Sequence, residues 1–207
     1  AIVEATRRAL EELEARYGTG RFFFLYRNRV HATRQGKWMG WERKRGALAE
    51  LNAYLLRGEG RWRAEGGGLE SLRETRYVMT LDADTRLVPG SVATLTRAMM
   101  HPANRPVVAG GRVVSGYGMM QPNVALMPGD AAKTPFARAW YGNVGLDPYV
   151  GAAPEMYMDL FGRSIFTGKG IYDLRVFEAV TAEAIPADRV LSHDLLEGGY
   201  ARCALVG

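Results

Sequence analysis

The chain has 207 residues, 47% of them hydrophobic and 24% charged, a balance that suits a globular protein with one full core and excludes a disordered chain. No window approaches about 20 uninterrupted apolar residues, so no membrane-spanning helix is expected. The lone cysteine, Cys203, excludes an internal disulfide framework and any multi-cysteine metal site, and points to a reducing compartment. Net charge is +5 but uneven: residues 1–76 carry 16 basic and 10 acidic groups, net +6, and the remainder 11 and 12, net −1. A basic half suits nucleic acid, an anionic membrane surface or a phosphorylated substrate, or is a solvated face; only motifs decide between these. The chain opens at Ala1 without Met or a signal peptide, and reads as a piece of a longer protein.

Taken in order, Ile2, Ala9, Leu10, Leu13 and Tyr17 recur at helical spacing, and Gly18 and Gly20 end the pattern. The aromatic run Phe22–Tyr26 predicts a buried strand. Residues 27–40 are basic and read as a loop. A second helix is expected from Glu42, with Leu48, Leu51 and Leu55 on one face, stopping before Gly58. Residues 58–68, with three consecutive glycines, read as a surface loop. Tyr77–Leu81 predicts a strand running into Asp82, Ser91–Met100 a helix, and Val107-Val108 and Arg112–Val114 strands divided by Gly110-Gly111. Residues 115–155, rich in Gly and Pro, carry no assignable pattern. Strands alternating with helices predict an α/β sheet in one domain spanning residues 1–207.

The sharpest local feature is Thr80-Leu81-Asp82-Ala83-Asp84-Thr85 at the end of an apolar strand, where ligands of open α/β sheets bind. Two carboxylates one residue apart can share a hard divalent cation, which in turn can hold a diphosphate; the same acids also suit a turn. An EF-hand loop fails, because Leu87 and Ala93 stand where it needs Gly and Glu. An aspartyl-phosphate motif fails at Arg86. Gly168-Lys169-Gly170 lacks the Ser/Thr of a phosphate loop, and Gly116-Tyr117-Gly118 meets Gln121 where a dinucleotide fingerprint needs Gly.

Two further constellations stand out. Trp38-Met39-Gly40-Trp41-Glu42-Arg43-Lys44-Arg45-Gly46 places basic residues at a helix start, where backbone N–H groups favour anions; its tryptophans suit a sugar platform or the core. Phe166-Thr167-Gly168-Lys169-Gly170-Ile171-Tyr172-Asp173, followed by Ser192-His193-Asp194-Leu195-Leu196-Glu197-Gly198, brings glycines around a lysine and an acid ahead of an apolar turn. Asp194 suits either a helix N-cap or a general base. With only His31, His101 and His193 present, no Ser/His/Asp triad follows from sequence.

In this order the segments resemble the glycosyltransferase domain of bacterial cyclic β-1,2-glucan synthases, glycosyltransferase family 84, itself similar to processive family 2 transferases. The similarity covers Trp38–Leu56 and Tyr77 to the end, with Asp147-Pro148-Tyr149 and Phe161-Gly162 also fitting. The resemblance implies a GT-A-like (Rossmann-like) mixed sheet with helices on both faces, incomplete at its N-terminus, within a larger membrane protein at the cytoplasmic face of the bacterial inner membrane. It further implies an inverting glucosyltransferase that uses UDP-glucose and Mg²⁺ or Mn²⁺ to extend a β-1,2-glucan chain. On that resemblance Asp82 and Asp84 bind the metal and UDP-sugar, Lys44 contacts the nucleotide, and Asp194 is the general base. Gly168, Lys169 and Gly170 with His193 then form the loop beside acceptor and donor sugar. The chain departs from family 2 in having His193 where Glu usually stands, and no Gln-x-x-Arg-Trp motif is present. The competing expectation is a non-catalytic nucleotide- or carbohydrate-binding module of the same fold. A nucleic-acid binder lacks the expected aromatic and basic sheet motifs.

Overall fold

A computed structural model describes residues 2–33, 36–124, 127, 129, 133–140, 152–186, 190 and 193–207. Two compact units emerge, the first made chiefly of residues up to Arg76 and the second chiefly of those from Tyr77.

In the first unit, α1 (Ile2–Tyr17) precedes β1 (Phe24–Arg27), β2 (Val30–Ala32), β3 (Lys37–Met39), α2 (Arg43–Arg57) and β4 (Trp62–Glu65). The two expected helices form. The strand expected at Phe22–Tyr26 sits two residues later at its start and one at its end. Residues 27–40 are not simply a loop: β2 and β3 pair antiparallel, with His31 opposite Trp38 and their rings 5.7 Å apart edge to face. Nor is the 58–68 segment only a loop, because β4 pairs antiparallel with β1, Phe24 facing Glu65 and Arg27 facing Trp62. Both short strands hold by cross-strand partners, which single-window composition does not show. Arg7 of α1 lays its guanidinium fork on Glu65, with both nitrogens 2.6 Å from the carboxylate oxygens, and the Tyr26 hydroxyl joins at 3.1 Å. These bonds hold the Glu65 carboxyl below the usual glutamate range, Arg7 being the main cause. The tie of α1 to the ribbon is therefore complete above the ordinary glutamate pKa and is lost as pH falls through the depressed one.

The second unit carries β5 (Tyr77–Thr80), α3 (Ser91–Met100), β6 (Val107–Ala109), β7 (Arg112–Ser115), β8 (Met119–Pro122), α4 (Pro135–Trp140), α5 (Ala152–Phe161), β9 (Gly170–Asp173), α6 (Leu174–Thr181), α7 (Asp194–Ala201) and β10 (Cys203–Val206). Helix α3 has the expected bounds. Strands β6 and β7 form a hairpin across Gly110-Gly111, whose φ values of 57° and 73° need glycine. Strand β8 lies in the stretch that carried no pattern, yet it stands inside the main sheet.

That sheet has the order β10-β8-β9-β5, with β10 parallel to β8 and β9 antiparallel to both β8 and β5. Strands β5, β8 and β10 therefore run the same way, and their carboxyl ends share one edge with the amino end of β9. Side chains alternate between faces. Met120, Ile171 and Ala204 line one face and pack on Leu95 and Met99 of α3. Met119, Tyr172 and Cys203 line the other, which α6 covers, Phe177 lying 4.3 Å from the Tyr172 ring. The result is a mixed α/β sheet with helices on both faces. Asp173 caps α6, its Oδ1 accepting from the N–H groups of Arg175 and Val176 at 3.1 Å each. Among the described residues no helix is long and apolar enough to cross a membrane.

Cys203 is fully buried in this core, and desolvation pushes its thiol well above the ordinary cysteine pKa. Leu95→Ala, which empties volume on the α3 face, is expected to cost about 2–5 kcal/mol of stability. Iodoacetamide labelling of Cys203 along a urea titration measures it: the thiol stays unlabelled in the folded protein, and labelling begins at lower urea in the variant.

Candidate active site

The shared strand edge is where the acidic motifs fall. After β5 the chain leaves Thr80, and the Thr85 N–H donates to the Asp82 carbonyl at 3.0 Å, closing a turn over Ala83 and Asp84. Asp82 is half-buried and Asp84 exposed. Opposite them runs the 164–170 loop that feeds β9, and buried Gln121 of β8 pins it. The Gln121 Oε1 accepts from the Thr167 N–H at 3.0 Å and the Thr167 hydroxyl at 3.2 Å, while its Nε2 donates to the Ile165 carbonyl. Thr80 donates its hydroxyl proton to the Gly168 carbonyl at 3.3 Å, joining loop to β5.

Glycines then set how close the pieces come. A Cβ at Gly168, whose φ is +80°, would lie 2.9 Å from Asp194 Oδ1 and 3.0 Å from Oδ2. A Cβ at Gly198 would lie 2.7 Å from the Phe166 Cβ, and one at Gly170 only 2.3 Å from the Met120 carbonyl oxygen. The two long motifs thus interlock, Phe166 on Gly198 and Gly168 on Asp194, which explains why each has glycine at those places. Between the two loop glycines, Lys169 reaches across to Asp82, Nζ to Oδ2 at 2.8 Å. Asp82, Gly168, Lys169, Gly170 and Asp194 are therefore brought together on one edge.

Asp194 is the first residue of α7. The cap position belongs to His193, whose side chain makes no capping bond, so Asp194 does not act as the N-cap. Its Oδ1 is buried without a hydrogen bond, while its side chain as a whole remains about a third exposed. The His193 Nδ1 lies 2.9 Å from Glu197 Oε1 and 3.6 Å from Asp194 Oδ1. Glu197 is only 3% exposed and His193 only 7%. Ligand atoms of His193, Asp194 and Glu197 fall within 4.8 Å of one another, close enough to hold a cation. Two members of this site were missed from sequence. Glu197 stands four residues after His193, a spacing that a helix puts on one face and that was readable. Gln121 had no signal, being one polar residue in an unpatterned stretch. Ser192 of the same motif, and Asp147-Pro148-Tyr149, lie outside the described residues.

The basic constellation belongs to the first unit. Lys44, half-buried, is the second residue of α2. Arg45 is buried in an ion pair with Glu42, so it serves the helix start rather than an anion in solution. Gly46 admits the Trp41 carbonyl, 2.0 Å from where a Cβ would stand, and the Arg61 guanidinium lies 5.9 Å from the Trp41 ring centroid. Trp41 is thus packed, whereas Trp38 is 68% exposed on its hairpin.

No family model matches the chain. The cyclic β-(1,2)-glucan synthase NdvB of Rhizobium meliloti (strain 1021) is 46% identical to it over 212 residues, covering 99% of this chain. The chain spans 7% of that protein's length.

Gly168→Ala tests the interlock. The left-handed backbone alone costs a non-glycine residue about 1–2 kcal/mol, and the Cβ must also displace the Asp194 carboxylate. A urea midpoint below that of the parent is expected, whereas Gly199→Ala, inside α7 with open space around it, is expected to hold the midpoint or raise it, because alanine favours the helix by about 0.5–1 kcal/mol.

Proposed function

We propose that the chain is a segment of a cyclic β-(1,2)-glucan synthase and, within it, an inverting glucosyltransferase domain of GT-A type that transfers glucose from UDP-glucose to a growing β-1,2-glucan. One observation carries this reading: Asp194 and Asp82, far apart in sequence, meet on a single sheet edge through the Gly168-Lys169-Gly170 loop.

Asp194 has what a general base needs. Its Oδ1 is buried beside His193 Nδ1, while the side chain as a whole is about a third exposed, so a glucan hydroxyl would meet the carboxylate from its open side. It would take the proton from the glucan hydroxyl as that oxygen bonds to C1 of the donor glucose. The bond from C1 to the diphosphate oxygen breaks on the opposite face, so an α-linked donor gives a β-linked product and UDP leaves. Asp82 and Asp84 would hold a divalent cation, Mg²⁺ or Mn²⁺. Their hard oxygen donors suit such an ion, and Asp82 already faces a cation in the form of the Lys169 ammonium. When bound, the ion supplies charge that stabilises the departing diphosphate. Gly168 lets Asp194 stand against the loop, and Gly170 lets the loop lie against the sheet. Lys44 is carried over from the resemblance as the nucleotide-contacting lysine. The same reading places the protein at the cytoplasmic face of the bacterial inner membrane, held there by parts of the synthase other than this chain. Its basic first 76 residues suit an anionic leaflet.

Asp194→Asn, introduced into the full-length synthase, keeps size and hydrogen-bond acceptance but removes basicity. Glucose incorporation from labelled UDP-glucose is expected to fall by about 10²- to 10⁴-fold, with donor affinity and melting temperature unchanged. Near-normal incorporation would remove Asp194 from the mechanism. Asp84→Ala is expected to abolish Mn²⁺-dependent UDP-glucose binding in calorimetry. Donor binding that ignores chelator in the parent protein would count against the metal assignment, and absence of donor binding at any metal concentration would favour a non-catalytic module.

A further inference from the structure

We propose that Lys169 is a resident counter-cation of the site: it occupies Asp82 while no divalent cation is bound, then releases it and turns its charge to the diphosphate that arrives with the ion. The proposal rests on the reading of Asp82 and Asp84 as the cation-binding pair.

The geometry separates what is fixed from what can move. On one side of Lys169, Gly168 is wedged against the Asp194 carboxylate and its carbonyl accepts from Thr80. On the other, Gly170 lies in β9 directly against the Met120 carbonyl. Gln121 holds Thr167 one step upstream. The backbone on either side of Lys169 is thus held by packing and hydrogen bonds. The side chain can, because an ammonium on a four-carbon stem with three rotatable donors reorients without its backbone. It is 24% exposed and its partner Asp82 34%, so the pair borders solvent and can exchange.

Charge then dictates the exchange. A strand end with two aspartates one residue apart gains from a cation, and Lys169 provides one at 2.8 Å. A divalent ion on the same carboxylate and an ammonium still touching it would repel at short range in a partly desolvated site. The incoming ion favours release of Lys169, and phosphate oxygens brought with it are the natural acceptors for a lysine point charge. The consequence is an order of loading: the bare ion competes with Lys169, whereas ion and nucleoside diphosphate together satisfy every charge.

The test is Mn²⁺ titration of the purified protein, reading free Mn²⁺ by electron paramagnetic resonance, with and without UDP. Lys169→Met and Lys169→Gln both remove the charge at a mostly buried position, and thermal melts identify a folded variant of the two. Removing the competing pair is expected to tighten Mn²⁺ alone by about two- to fivefold, the range for a partly exposed ion pair, and to weaken UDP binding at saturating Mn²⁺. Lys169→Arg, which keeps the charge, is expected to leave Mn²⁺ affinity near that of the parent. Opposite signs for ion alone and ion with UDP establish the exchange. Unchanged or weaker binding of Mn²⁺ alone would overturn it and leave Lys169 a fixed support for Asp82. Asp84→Ala is the control for the underlying reading: if it leaves Mn²⁺ affinity unaltered, the cation pair is wrong and the Lys169 proposal falls with it. If Asp84→Ala abolishes binding and the neutral Lys169 variants show no gain, only the exchange is wrong.

Discussion

The site depends on one steric constraint: the 166–170 loop has no room for side chains where it meets its neighbours. Gly168 faces a carboxylate, Gly170 faces a backbone carbonyl, and Gly198 on α7 faces the Phe166 side chain. Interiors pack too densely to absorb an extra carbon at such points without something moving. Because the loop is clamped between helix and sheet, the positions of Asp194 and Lys169 follow from packing rather than from their own charge. Gln121 completes the clamp. Its buried amide uses both ends on the loop, which stabilises the structure only because both ends are satisfied.

Charge is arranged around that clamp in two layers. At the open edge, Asp82 and Lys169 form a pair that borders solvent, and such pairs contribute little to stability. Behind it, His193 and Glu197 form a pair removed from water, 2.9 Å apart. Glu197 is thus a buried carboxylate with the His193 imidazole as its close polar neighbour. The imidazole in turn lies between Glu197 and Asp194. Loss of either buried partner strands the other, which gives this pair a stronger structural claim than the exposed one.

Much of this was legible in sequence. The Asp82–Asp84 spacing at a strand end, the glycines around Lys169, and the His193-Asp194 segment all fall on the same edge of the sheet, and Ser91–Met100 is helical over the expected span. Rules of periodicity work there because the segments are long or end in punctuating glycines. They fail where structure comes from partners. Strand β8, Met-Met-Gln-Pro, carries no alternation that shows on its own, yet it sits between β10 and β9 with both faces covered. Strand β4, Trp-Arg-Ala-Glu, exists because β1 lies beside it and Arg7 binds its last residue. Arg45 looked like an anion grip, and only the fold reveals that Glu42 has taken it.

The start of α2 follows a different physical logic from the glycine clamp. Glu42 and Arg43 both adopt left-handed backbone, with φ of 46° and 51°, although neither is glycine. Each such residue costs about 1–2 kcal/mol, so the turn persists only if its surroundings over-determine it. They do. The Arg27 guanidinium donates to the Arg43 carbonyl and pairs with Glu50, which Arg61 also grips, while Glu42 pairs with Arg45 and Gly46 admits the Trp41 carbonyl. Strain held by a web of ion pairs fixes the direction in which the helix begins. Lys44 is the first residue after that turn. Its location is thus set by backbone geometry that few sequences can hold, which accounts physically for a run of Glu-Arg-Lys-Arg-Gly whose residues do unequal jobs: Glu42 and Arg45 pair at the turn, and the Arg43 carbonyl takes the Arg27 guanidinium.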